Sequence, residues 1–296
     1  SQTMVINYIW QLMYCFNGDS MLKKVLSLVL VLVVLSSNVL PVMAVKEVNA
    51  EKSSEVSPFI KKLVEYWPHM GDGAEVKWAQ SAHELIAEKT GSYMGISGDN
   101  LLNFKLGSKL PDEEDSAWWP PWCPDRLCKH IYDPVFKFGS ASQACKEKVK
   151  SAINYAHNSN YAGAYLDLGR ASHYLMDLGN PYHSNLFTGN PAENKVRHDF
   201  YELIVYNKWR DWNLGDIAYN APKITVNDPQ NAVKELSIVS YVHKDDLDSA
   251  IGVYWVNNVP VPYIKDEAKL RQTTQFLVEK LAGYTKGLIE YFENNT

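Results

Sequence analysis

Three histidines and two carboxylates fall within thirty residues of this chain, in the pattern His173-x3-Asp177-x5-His183 followed by His198-x3-Glu202. Side chains four apart on a helix stand one turn above each other on the same face. His173 with Asp177 can therefore grip one ion, and His198 with Glu202 another. Between the pairs, Gly179-Asn180-Pro181 ends the first helix, because proline cannot continue it and displaces its predecessor from helical geometry. His183 then arrives from the turn, within reach of both pairs. Imidazole and carboxylate together suit zinc, a borderline ion bound by nitrogen and oxygen. A lone histidine is ordinarily a core residue. Two i,i+4 pairs with a histidine between them form a metal-site pattern.

The elements that must carry these residues are helical. Helically spaced apolar positions predict a helix starting at Trp78. Others are predicted over Ser142 to Ser159, Ala162 to Leu178, Glu193 to Asn207, Asn231 to Tyr241, Asp245 to Val256 and Glu267 to Glu293. A short one is predicted around Phe59, Leu63 and Tyr66, and Asn213 to Asp228 reads as looser. No strand alternation or internal repeat is visible, so the expectation is an all-α chain with a single compact helical domain. Gly107 to Pro134 is expected to be a long irregular loop. It holds Pro111, Pro120, Pro121 and Pro124, the acids Asp112, Glu113, Glu114 and Asp115, and the indoles of Trp118, Trp119 and Trp122. Loops of this length in compact domains are usually functional, and these tryptophans suit either a core cap or docking at a membrane interface.

The 296 residues are 46% hydrophobic, ample for one sizeable core. Met21-Leu22-Lys23-Lys24, the apolar run from Val25 to Leu35 and Val42-Met43-Ala44 form the pattern of a cleaved signal peptide. The run is too short to span a bilayer, although an uncleaved membrane anchor is the alternative. The expected organisation is an upstream extension and signal peptide over 1–44, a polar propeptide or linker over 45–77, and a catalytic domain over 78–296. Export implies an oxidising compartment, so Cys123, Cys128 and Cys145 can supply one disulfide with one thiol left over, while Cys15 lies in the leader. A net charge of −5 without a long basic run argues against binding duplex nucleic acid.

The segment Ala171-Ser172-His173-Tyr174-Leu175-Met176-Asp177-Leu178-Gly179-Asn180-Pro181-Tyr182-His183 resembles the central motif of the zinc-dependent phospholipase C family, roughly H-Y-L-G-D-x-x-Q-P-x-H. The related single-strand nucleases carry a similar segment. Lys129-His130-Ile131-Tyr132-Asp133-Pro134 resembles the family's S-H-F-Y-D-P, whose histidine is a zinc ligand. Asp112, five residues after Gly107, resembles the family's zinc-binding aspartate and proposed general base, with Asp115 as the fallback. His198 and Glu202 resemble its H-x3-E pair, and His83 its third-site histidine.

The resemblance implies three zinc ions. His130, His173, Asp177 and Asp112 would hold one. His183, His198 and Glu202 would hold a second, and His83, Asp177 and an N-terminal tryptophan the third. That tryptophan is Trp78, exposed by cleavage after Lys77, with Trp67 as the competitor. It also implies a secreted phosphodiesterase acting on phospholipid at a membrane surface, with no duplex nucleic acid as partner and a monomer favoured. The alternatives are a single-strand nuclease and a non-catalytic exported metalloprotein. Glu113 and Leu127 depart from the family's choline-contacting positions, which leaves the lipid headgroup open.

Overall fold

The computed structural model of the protein describes residues 77–115, 125–256 and 259–296. The signal-peptide segment, the propeptide segment apart from Lys77, and Trp67, Trp118, Trp119, Trp122 and Cys123 lie outside the described residues.

The elements run in order α1 Lys77–Tyr93, α2 Gly98–Gly107, α3 Pro111–Glu114, α4 Asp125–Cys128, α5 Ala141–His157, α6 Tyr161–Asp177, α7 Pro181–Ser184 and α8 Pro191–Asn207. Then come α9 Leu214–Asn220, α10 Pro229–Tyr241, α11 Lys244–Ala250, the strands β1 Ile251–Val256 and β2 Val259–Ile264, and the long closing helix α12 Glu267–Glu293. Among the described residues the architecture is all-α apart from one antiparallel hairpin. Among the described residues no helix is long and apolar enough to cross a membrane.

Local chemistry explains where helices start. Asn180-Pro181, Asn190-Pro191 and Asp228-Pro229 each place an amide or carboxylate acceptor at the cap and proline at the first helical position. The cap side chain satisfies an orphan backbone N–H, and proline costs nothing where no N–H is needed. The Asn180 side chain accepts from the Tyr182 amide, and that of Asn190 from the Ala192 amide. These two caps set the entry angles of α7 and α8, the elements that carry His183, His198 and Glu202.

The core draws on α5, α6, α8, α10 and α12, with Val149, Leu175, Leu178, Ile204, Val233, Leu236, Leu277 and Leu288 among its buried side chains. Two glycines decide how closely α2 meets α6. A Cβ at Gly107 would lie 2.0 Å from the Leu166 carbonyl oxygen, and one at Gly169 2.3 Å from that of Phe104. Only glycine permits backbones this close, and the contact sets the position of Ser108, whose carbonyl serves the site.

Three expectations are corrected. The helix predicted over Asp245 to Val256 stops at Ala250, and the rest is β1, paired with β2 in the register Ile251↔Ile264 through Val256↔Val259. β-branched and aromatic side chains fill this stretch and favour a pleated ribbon, while Pro260 and Pro262 forbid helix. Gly107 to Pro134 is not wholly irregular, since α3 and α4 fall within it. The stretch after Asn213 contains the buried-faced helix α9. Of the cysteines, Cys128 is disulfide-bonded and Cys145 is the free, buried thiol.

Candidate metal centre

α6 delivers His173 and Asp177 on one face of its last two turns, both fully enclosed. His173 Nε2 and Asp177 Oδ2 are 3.2 Å apart. His130 comes from the turn after α4 and brings Nδ1 to 2.9 Å from Asp177 Oδ2 and 3.0 Å from His173 Nε2. Asp112, from α3, places Oδ1 3.4 Å from His173 Nε2 and 3.6 Å from His130 Nδ1. His83, from the middle of α1, sets Nε2 3.4 Å from Asp177 Oδ1. The two oxygens of Asp177 thus serve different neighbours, one facing His83 and the other facing His130 and His173.

A second group lies on the other side of Asn180. His183 and His198 approach with their Nε2 atoms 2.7 Å apart, and Glu202 Oε1 is 3.0 Å from His198 and 3.5 Å from His183. Asn180 donates its side-chain N–H to the same Glu202 oxygen at 3.2 Å. The groups are therefore His83/His173/Asp177, Asp112/His130/His173 and His183/His198/Glu202.

The histidines are oriented from behind. His173 Nδ1 lies 2.9 Å from the Ser108 carbonyl oxygen, and His183 Nδ1 lies 2.7 Å from that of His130. His198 Nδ1 lies 2.9 Å from Asp199 Oδ1. A ring N–H directed at such an acceptor leaves the opposite nitrogen with its lone pair facing the centre. His130 is held the other way round, with Nε2 3.5 Å from Asp115 Oδ2 and Nδ1 inward. Asp115 also accepts from Tyr174 Oη at 2.6 Å and from Lys129 Nζ at 2.9 Å. Its oxygens are occupied as supports, whereas Asp112 faces the other donors.

The electrostatics follow from burying these groups side by side. Burial, reinforced by the neighbouring His173, pushes His83 down to about 4, so it is neutral at pH 7. Burial also works against charge on His130, yet its contacts with Asp115 and Asp177 raise it to about 9. His198 likewise reaches about 9 against burial, through Glu202 and Asp199. Burial opposes ionisation of Asp112, Asp177 and Glu202, and the adjacent histidines overcome it and hold all three carboxyls below their ordinary range.

These residues fit zinc. Ligand atoms arranged tetrahedrally around one zinc at about 2.0–2.1 Å stand about 3.3 Å from one another. The histidine–carboxylate separations across the three groups, 2.9 to 3.6 Å, bracket that value. Two polar atoms in the centre, His83 Nδ1 and Asp112 Oδ2, are buried with no hydrogen-bond partner, a state that ordinarily costs about 1–3 kcal/mol per group. A cavity of about 50 Å³ opens between the groups, with His83, Asp177, Asn180 and Glu202 at its polar end and Met176, Tyr201, Val205 and Leu281 among its apolar walls. That is room for roughly three or four water-sized groups.

Seven of the eight donors expected from the sequence besides Trp78 are nearly inaccessible, and Glu202 is partly exposed. Trp78 sits in the first turn of α1, and its side chain lies outside the described residues. Sequence reasoning missed the supporting groups. Asp199, next to His198, could have been found as an acid beside a ligand. Asn180 was legible only as a helix stop, and Tyr174 and the Ser108 carbonyl left no signal.

No family model matches the chain. A curated phospholipase C from Clostridium novyi is 30% identical over 116 residues, covering 36% of this chain and 28% of the relative. The chain thus spans well under half of that relative's length. The alpha toxin of Clostridium absonum is a solved structure 17% identical, covering 76% of this chain and 64% of its own, with a TM-score of 0.46. The Clostridium perfringens alpha-toxin from an avian strain gives 17%, 75%, 63% and 0.47. The chain resembles the phospholipase C family, as its motifs imply.

Proposed function

We propose that the protein is a secreted, zinc-dependent phosphodiesterase of phospholipase C type, hydrolysing phospholipids to diacylglycerol and a phosphorylated headgroup. The observation that carries this reading is the convergence of histidine and carboxylate donors from α1, α3, the turn after α4, α6, α7 and α8, with the rings of His130, His173, His183 and His198 oriented from behind. His130, His173, Asp177 and Asp112 would hold one zinc and His183, His198 and Glu202 a second. His83 and Asp177 would hold a third together with the amino terminus of a chain processed at Trp78. Zinc bound there supplies positive charge for the phosphodiester and a water made more acidic.

The chain's own contribution is positioning and proton handling. Asp112 Oδ2, the unpartnered carboxylate oxygen, accepts the proton of the attacking water, which adds to phosphorus in line with the diacylglycerol oxygen that leaves. Asp115 keeps His130 turned Nδ1-inward, and Asn180 steadies Glu202.

The test is to incubate the zinc-loaded mature protein with phosphatidylcholine and phosphatidylethanolamine vesicles and, separately, with single-stranded DNA. Release of diacylglycerol is the expected result. Release of nucleotides with no diacylglycerol would move the same centre to single-strand cleavage, and no product from either substrate would overturn the reading. Processing is tested by comparing chains that begin at Val45 and at Trp78. The Trp78 form is expected to hold one more zinc, because an amine has a lone pair for the ion and a peptide nitrogen does not. Equal zinc content and equal activity would remove the terminal amine from the site.

A further inference from the structure

The hairpin of β1 and β2 is not used by the chemistry above, and its burial is graded along its length. Ile251 and Gly252 at its base are buried, whereas Tyr254, Trp255, Val256 and Val259 toward its tip are 51%, 48%, 47% and 59% exposed. Successive side chains on a strand point to opposite faces. Three consecutive exposed residues therefore mean that both faces of the ribbon are uncovered at the tip, and both are apolar. From Ile251 to Ile264 there is no Asp, Glu, Lys or Arg, although 21% of the whole chain is charged. The neighbouring charges come from outside the ribbon: Arg197 Nε donates to the Ile251 carbonyl oxygen at 3.1 Å at the base, Lys265 follows the second strand, and Glu193 touches the Trp255 indole from the side.

We infer that this hairpin tip is a bilayer-docking element, inserting Tyr254, Trp255, Val256 and Val259 among the headgroups and upper acyl chains of a phospholipid membrane. A protein partner covers one face of a ribbon, whereas a lipid phase surrounds both. An uncharged tip above a charged base complements a membrane, whose interior excludes charge and whose interface admits indole and phenol rings. Pairing with a strand of another chain is opposed by Pro260 and Pro262. They can occupy the ladder only with their nitrogens turned away from β1, so the outer edge of β2 lacks two donors.

The hairpin is also tied to the metal centre. Trp255 Nε1 donates to Glu193 Oε1 at 3.3 Å, and Glu193 and Arg197 belong to α8, the helix that carries His198 and Glu202. An inserted tip thus fixes the orientation of α8 relative to the lipid surface. This inference rests on the phospholipase reading for its biological sense and on the hairpin alone for its physics.

The experiment separates the two. Binding of the zinc-loaded protein to phosphatidylcholine–phosphatidylglycerol vesicles is measured by cosedimentation on ice, and turnover on a monomeric short-chain phosphatidylcholine. Trp255→Ala is expected to weaken vesicle binding about tenfold, and Val256→Asp with Val259→Asp more, because each removes a side chain whose burial is worth at least that factor. Monomeric turnover and the unfolding midpoint should be unchanged. Quenching of tryptophan fluorescence by brominated lipid should occur in the unaltered chain and fall in Trp255→Phe, which reads insertion without a disruptive substitution. Unaltered vesicle binding in the variants, or no vesicle binding by the parent chain, would overturn the inference. So would a variant that changes only the oligomeric state, which would make the tip a self-association surface. Hairpin-dependent vesicle binding without any phospholipid turnover would retain the docking element and reject the phospholipase reading.

Discussion

The two halves of the proposed metal centre are assembled in different ways. His83, Asp112, His130, His173 and Asp177 come from α1, α3, the turn after α4, and α6, and all five are buried. His183, His198 and Glu202 come from α7 and α8, which follow each other in the chain, and the Glu202 side chain keeps 18% exposure. The first half exists only once distant segments have packed, and the second needs little more than one turn and one helix. The first should therefore respond to any change in helix packing, while the second should respond mainly to loss of its own ligands.

The largest effect is expected at the residue shared by two donor groups. His173→Ala should lower zinc content and reduce turnover by about a thousandfold or more, because it removes a ligand of the zinc held with Asp112, His130 and Asp177 and the ring that packs against His83 at 4.4 Å. Elemental analysis and hydrolysis of a short-chain phospholipid check it, and full zinc content with normal turnover would end the metal-site reading. The second group should keep its ion in this variant, which is how the comparison is sharpened.

Asp112 and Asp115 test the division between ligand and support. Asp112→Asn should lower turnover by about 10²–10⁴-fold with little change in substrate binding, as expected for loss of a general base. Asp115→Asn should act through His130 and weaken metal binding by about 10–100-fold, the usual scale for a carboxylate behind a ligating histidine. Finding the larger turnover loss at Asp115 would reverse the two assignments.

How much of this was visible in the sequence depends on range. The His173/Asp177 and His198/Glu202 pairs are legible because four residues of helix fix their geometry. The helix ends are legible because Asn-Pro and Asp-Pro steps act locally. Whether Asp112 or Asp115 faces the centre is not legible, since acids three apart would share a face on a helix, and only the end of α3 at Glu114 and the packing around it separate them. The hairpin was missed because an apolar run reads like a buried helix until its β-branched residues and the two-residue link Asn257-Asn258 are weighed. The close approach of α2 to α6 leaves only two glycines as its trace. Gly169→Ala should test it, costing about 1–3 kcal/mol of stability by overpacking and loosening zinc in the buried half while sparing the His183/His198/Glu202 ion. Equal loosening of both halves would remove the contrast drawn between them.

The smallest expected effect concerns protons. Without metal, His130 and His198 titrate near 9, and His173 lies well above the ordinary histidine range, so all three carry a proton at pH 7. Zinc binds only the unprotonated ring nitrogen, so loading must displace these protons. Raised values mean that competition is present at pH 7 and fades as the pH climbs through 9, so zinc affinity should rise over that interval. His83, held near 4, contributes no proton at pH 7. Calorimetric titration of the zinc-free protein in buffers of different ionisation enthalpy reads the number released. The buried half should give up protons from His130 and His173, and the His183/His198/Glu202 half one from His198. Proton release confined to a single step, or affinity that falls between pH 7 and 9, would contradict the charge states assigned to the two halves.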